Sequence, residues 1–165
     1  MPQTSVTAVP AKTIEGMLDG DVHDVVSGIV DQTGGIRPGR ACLRTANGSF
    51  AAALPSGAGS LTTNVLGVSL HSQKALINPS SSDNEVYEDD DQIPLLRHGR
   101  VWVKSEEAVT PASPVFVRVA SGGGGTQIGA FRASADTATA VAWTAAKFLT
   151  TTTVANDFVL LEVNM

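Results

Sequence analysis

The stretch LLRHGRVWVKSEEAVTPASPVFVRV, residues 95–119, holds two valine-rich runs around a ten-residue break with two prolines. Successive side chains of a strand point to opposite faces, so Val101 and Val103 face one way and Trp102 and Lys104 the other. Val115, Val117 and Val119 likewise share a face, with Phe116 and Arg118 opposite. Pro111 and Pro114 donate no backbone hydrogen bond, which makes the break an exposed loop. If the valines face the core, two aromatics stand where a half-buried strand is normally polar. Either a loop or a second sheet layer covers them, or they belong to a protein interface, where aromatics and arginine are enriched.

The rest of the chain reads as more short strands. VHDVVSGIV (22–30) is a candidate strand interrupted by Gly28, and DQTGGIRPGR (31–40) is a loop of Gly-Gly and Pro-Gly turns. RACLRTANGSFAAAL (40–54) reads as a hairpin turning at Asn47-Gly48, since both residues tolerate positive φ. VLGVSL (65–70), IPLLRHGRVWVK (93–104), VFVRVA (115–120), GAFRAS (129–134) and FVLLEV (158–163) follow as apolar or alternating runs. NPSSSDNEVYEDDD (78–91) is an acidic exposed loop, and GGGG (122–125) is a flexible tip. The alanines near Trp143 favour a helical turn, which the β-branched threonines at 150–153 end. Short strands between turn signals predict an all-β fold, a small barrel or sandwich of jelly-roll or β-tulip type. Residues 1–20 read as an extended arm and 21–165 as the β domain.

Composition narrows the function. The 165 residues suit one domain. Only 16% are charged and the net charge is −5, with seven arginines and four lysines scattered along the chain. Nucleic-acid binding, which needs a basic patch to displace counterions, is not expected. MPQTSVTAVPAKT lacks a basic start and an apolar run, so no signal peptide is expected. No window reaches the roughly 18 apolar residues of a membrane span. Cys42 stands alone and reads as a small buried hydrophobe.

No catalytic set assembles. His23, His71 and His98 are not at ligand spacing from one another, and Asp21-Val22-His23 reads as a polar strand start. No G-x-S-x-G elbow occurs. Residues 124–129 have P-loop glycine spacing but continue Ala-Phe where phosphate binding needs Lys-Ser/Thr. Residues 88–91 lack the spacing of a calcium loop. No enzyme activity, cofactor or metal is expected. A carbohydrate- or small-ligand-binding barrel is the rival, though it needs an aromatic-lined pocket and the chain has few aromatics.

The ordered set IRPGRACL, NVLGVSLHSQ, LLRHGRVWV, EEAVTPASPVFVRV, the Gly-rich tip, GAFRASAD and KFLTTTTVANDFVLLEV resembles the structural cement, or capsid decoration, proteins of tailed bacteriophages. The order is kept from about Val22 to the C-terminus. Arg37-Pro38 replaces the family's Pro-aromatic pair, and the acidic segment 78–91 is longer than usual. The resemblance implies a non-enzymatic protein docked on the outer surface of the virion capsid, assembled in the host cytoplasm. Its partners would be neighbouring major capsid protein subunits, which it locks together, and itself, with a homotrimer favoured over a homodimer. A fibre adaptor of the same virus is a further alternative. The expected contact residues are Pro2, Val6, Val9 and Pro10 of the arm, with Trp102, Lys104, Phe116 and Arg118 of the opening stretch.

Overall fold

Residues 14–57, 61, 64–72 and 86–165 are described by the structure, a computed structural model. Ten strands run through them: β1 (Leu18–Val30), β2 (Ala41–Arg44), β3 (Ala51–Ala53), β4 (Val65–Ser69), β5 (Gln92–Ser105), β6 (Phe116–Arg118), β7 (Phe131–Arg132), β8 (Ala140–Ala142), β9 (Ala146–Phe148) and β10 (Asp157–Asn164). The fold is an all-β barrel, as expected, and no α-helix lies among the described residues. Two short strands flank the turn at Trp143 where the alanines favour a helix. The Trp143 ring stacks on Phe131 at 6.1 Å, and the Trp143 backbone N–H donates to the Val115 carbonyl. Tertiary packing overrides local propensity there.

Five strands close on themselves. β1 runs parallel to β3, β3 pairs with β2, β2 with β4 and β4 with β5, and β5 returns antiparallel to β1. Inside this ring lie Val30, Ile36, Cys42, Tyr87, Ile93 and Leu95. The C-terminal half of β5 carries a second layer. It pairs with β10 from His98 to Ser105 and touches β7 at its end, while β9 pairs with β10, and β6 joins β7 to β8. Val101, Val103, Val117, Phe131, Trp143 and Leu161 fill the core beneath it.

β5 therefore serves two cores, and its alternation changes phase midway. Leu96 faces the larger core, yet so do Val101 and Val103, which have the opposite parity. The switch falls around Gly99, at φ 130°, opposite a bulge in which β1 passes from Asp19 to Asp24 while β5 passes from Arg100 to His98. A bulge re-aims side chains in this way.

Three sequence expectations change in detail. Gly28 does not interrupt β1; a Cβ there would lie 2.9 Å from the Leu95 side chain and 3.0 Å from the Phe50 carbonyl, so glycine admits the neighbouring backbone. Of the 1–20 segment expected as an arm, Leu18–Gly20 belong to β1 and residues 1–13 lie outside the described residues. Of the acidic loop 78–91, residues 86–91 are described. Glu88–Asp90 are exposed, but Tyr87 is fully buried, bridged to Ile36 and hydrogen-bonded through its hydroxyl to the Leu70 carbonyl at 2.7 Å.

Gly67 shows how closely β4 lies on β5. Its φ is 151°, and a Cβ would sit 2.5 Å from the Leu96 carbonyl oxygen. Gly34, at φ 90°, would meet nothing within 4 Å. Gly67→Ala is expected to cost at least about 2 kcal/mol, since backbone must move. Gly34→Ala is expected to cost about 1 kcal/mol of conformational strain. Urea denaturation of the two variants checks the difference.

Candidate interaction surface

The opening stretch divides its side chains between two fates. The valines are core: Val101, Val103 and Val117 are wholly buried, and Val115 and Val119 nearly so. Trp102, Lys104 and Phe116 are half-buried on the other side. Arg118, expected among the contact residues, is instead 0% exposed in the folded chain. Its Nε donates to both oxygens of Glu106 at 2.8 and 2.6 Å, and one terminal nitrogen reaches Asp136 at 2.8 Å. The other meets Thr139 Oγ1 at 2.9 Å and the Ala120 carbonyl at 3.1 Å. Arg132 adds a second buried cation, 3.3 Å from Glu106 and 3.1 Å from Asp136.

The four glycines at 122–125 make this burial possible. They are not a free tip. Gly122 and Gly125 exchange backbone hydrogen bonds, and the Gly124 N–H donates to Asp136. A Cβ on Gly125 would collide with the Glu106 carboxylate, and one on Gly124 would lie 2.9 Å from Arg132. The alternation placed Arg118 on the correct face; what it could not show is that a glycine strap covers that face. The readable signal is the set of Glu106, Arg118, Arg132 and Asp136 placed on either side of a glycine run.

The two aromatics do not meet. β5 and β6 are separated by β7, so Trp102 and Phe116 are not cross-strand neighbours. Trp102 lies opposite Leu160 of β10, and Phe116 lies between Arg132 and Ala142. Lys104 lies opposite Phe158, with its Nζ 5.3 Å from the ring centroid. The cation–π contact occupies the lysine within the subunit.

The root of the N-terminal segment is fastened beside Trp102. The Gly16 N–H donates to the Trp102 carbonyl at 2.7 Å, the Trp102 N–H to Met17 at 2.8 Å, and the His71 N–H to Gly16 at 2.9 Å. Glu15 and Arg40 form a buried ion pair at 2.6 Å. Burial raises the Glu15 pKa above its ordinary value, with Arg40 and Lys104 opposing the rise. Pro2, Val6, Val9 and Pro10 lie outside the described residues.

Exposed large apolar side chains gather along β1. Met17, Val25, Ile29 and Phe50 all belong to this strand or its immediate neighbours. The sequence reading missed them, because single exposed hydrophobes carry no signal until the fold aligns them.

Nothing in this geometry resembles a reaction centre. A cleft of about 1040 Å³ is lined by polar and charged groups such as Gln32, Arg37, Glu88 and Gln127, and among the described residues no aromatic ring lines it. Trp143, Tyr87, Phe131 and Phe148 are spent in the cores. Burial pushes the Cys42 thiol up to about 12, so it is inert at neutral pH. No group of three or more metal-ligating side chains occurs among the described residues.

The chain belongs to the family described as "Structural cement protein (E217 gp24/Pam3 gp6)", which matches residues 1–164. It is thus a non-enzymatic structural protein of phage. Its fold is similar to that of a chain in the solved structure "The capsid of Myoviridae Phage XM1", with TM-score 0.65, 18% identity and 98% of each chain covered. No curated protein matches.

The ion network yields two expectations. Arg118→Ala strands the buried Glu106 carboxylate and should cost about 3 kcal/mol or more, read by chemical denaturation. The hydrogen bonds from Arg118 hold Asp136 below the ordinary carboxylate range. Its contribution is therefore present above the unfolded value of about pH 4 and lost as pH falls through the lower folded value. Asp136→Asn should flatten the stability curve on that acid limb, as measured by thermal melts between neutral and strongly acidic pH.

Proposed function

We propose that the protein docks on the outer surface of an assembled phage head and cements neighbouring major capsid protein subunits. Membership of the structural cement family across residues 1–164 is the observation that carries this reading. The barrel supplies a rigid body that carries half-buried aromatics on its outer side. Half-buried Trp102 and Phe116, with Lys104 at the edge of the polar cleft, remain contact candidates. Pro2, Val6, Val9 and Pro10 are assigned to the same role. The chain also self-associates into a small homo-oligomer, which multiplies its contacts with the shell.

The physical mechanism is multivalency. A protein–protein interface of standard size buries roughly 1,600 Å² in total. A cement protein that bridges two subunits makes its second contact intramolecular, at an effective concentration of roughly millimolar for a short flexible link. Selective binding to the expanded shell then stabilises that state by mass action. The carbohydrate-binding alternative gains no support from a polar cleft without a stacking ring.

The purified protein should co-sediment with empty expanded capsids and raise their melting temperature. Removal of residues 1–10 should leave the barrel's own melting unchanged while weakening that binding. Full-length protein that stays in the supernatant at tens of micromolar would sink the cement reading. Undiminished binding of the truncated chain would remove the arm from it.

A further inference from the structure

We propose that Asn47-Gly48 is a self-modifying site: its asparagine deamidates without an enzyme, and the carboxylate formed opens the clamp that ties the turn 45–50 to the end of β1. The proposal stands on the geometry of this turn and goes beyond the capsid reading.

The turn offers what the reaction needs. Among the asparagines of the chain, only Asn47 is followed by glycine. Both residues are exposed and lie between β2 and β3, outside every strand. Asparagine is a thermolabile residue, because the nitrogen of the next peptide unit can attack its carboxamide carbon. A side chain on that next residue would shield the nitrogen and narrow the backbone angles open to it, and glycine does neither. The Gly48 N–H makes no hydrogen bond among the described residues, so none has to break before it reacts. A Cβ on Gly48 would meet only Ala51, at 3.8 Å, so nothing crowds the site.

The step balances with water as the only co-reactant. The Gly48 amide gives its proton to solvent base, and its nitrogen bonds to Asn47 Cγ. The Cγ–Nδ2 bond breaks and Nδ2 leaves as ammonia, with a five-membered succinimide left in the chain. Water then adds at either ring carbonyl. The ring opens to aspartate or isoaspartate at position 47, and the amide has become a carboxylate.

The clamp gives this step both a brake and a consequence. Asn47 Nδ2 donates to the two oxygens of Asp31 at 3.1 and 2.9 Å, and the Thr45 hydroxyl donates to the same carboxylate. The Asn47 N–H in turn donates to Thr45 Oγ1 at 3.3 Å. While Asn47 holds Asp31, its carboxamide does not turn freely onto the Gly48 nitrogen, so the clamp slows the reaction. No cation pairs with Asp31 among the described residues; its charge is met by this amide and this hydroxyl. Once Nδ2 has gone, two carboxylates face each other where a donor met an acceptor, and like charges repel. The turn then loses its side-chain tie to β1.

Peptide mapping by mass spectrometry, on the full chain held in warm, mildly alkaline buffer, tests the proposal. Position 47 should convert before any other asparagine and give isoaspartate alongside aspartate. Gly48→Ala should slow the conversion at least about tenfold, or about 1.4 kcal/mol on the barrier. Asp31→Ala should speed it several-fold by releasing the brake. Asn47→Asp, which imitates one product, should lower the melting temperature of wild type by a few degrees. The same change in an Asp31→Ala background should leave the melting temperature where it is, the mark of a direct coupling. An amide still intact at position 47 after other asparagines have reacted overturns the proposal. So does aspartate as the sole product, since it bypasses the ring, or a rate that Gly48→Ala leaves untouched. An Asn47→Asp chain as stable as wild type, or one equally weakened with and without Asp31, overturns the opening of the clamp.

Discussion

A strand that two cores share must satisfy both, and β5 is that strand. Its first half gives Leu95 to the ring and Leu96 to the larger core. Past Gly99 the parity reverses, and Val101 and Val103 enter the larger core instead. Without the φ available to glycine at position 99, one half of the strand would turn its apolar side chains to water. A one-residue slip in pairing moves a whole apolar set to the wrong face. The bulge in β1, the β10 pairing and the closure onto β4 are all consequences of this one long element with two phases. Gly67 and Gly28 then let the neighbouring strands approach it closely.

The second constraint lies beyond the end of β5, where Glu106 follows Ser105. Two guanidinium groups and the carboxylates of Glu106 and Asp136 are stacked under a strap of glycines. Such a cluster is weak evidence of stability, because desolvation of the ions opposes their attraction. What it provides is register. β6 and β7 are three and two residues long, too short to fix their own pairing. Arg118 on one and Arg132 on the other reach the same Glu106 carboxylate, which sets how the two strands lie. Burial works against the Arg118 charge, yet hydrogen bonds to Asp136 and Glu106 outweigh it and hold its pKa above the ordinary value.

The sequence made the strands legible because alternation and turn residues are local signals. The hairpin forms, although it turns over the six residues 45–50 with neither Asn47 nor Gly48 at positive φ; the valines of the opening stretch are buried, and Cys42 packs as a small hydrophobe. Arg118 was misread because alternation reports a face and not its cover. The strap that covers it is four glycines whose close approach only the folded chain reveals. Trp102 and Phe116 share a parity within their own strands, but β7 lies between them, and strand order is not local information. The gathering of Met17, Val25, Ile29 and Phe50 escaped for the same reason. Phe50 lies twenty-one residues beyond Ile29 in the chain, and only the parallel pairing of β1 with β3 brings them side by side.

Charge placement ties these observations to the role of the protein. Three of the seven arginines, Arg40, Arg118 and Arg132, are buried and paired with carboxylates. The chain is poor in charge, and it turns part of what it has inward. The outer surface is therefore less ionic than the composition implies. For a protein that acts alone in solution this is a liability, since charge keeps surfaces apart. For one that must lie against other chains it lowers the desolvation that each contact requires, because fewer ions are stripped of water at the contact. The same inward ion pairs hold the short strands and the root of the N-terminal segment in place, so these parts of the surface are ordered within the single chain. Ordering that precedes binding leaves more of the contact energy for adhesion.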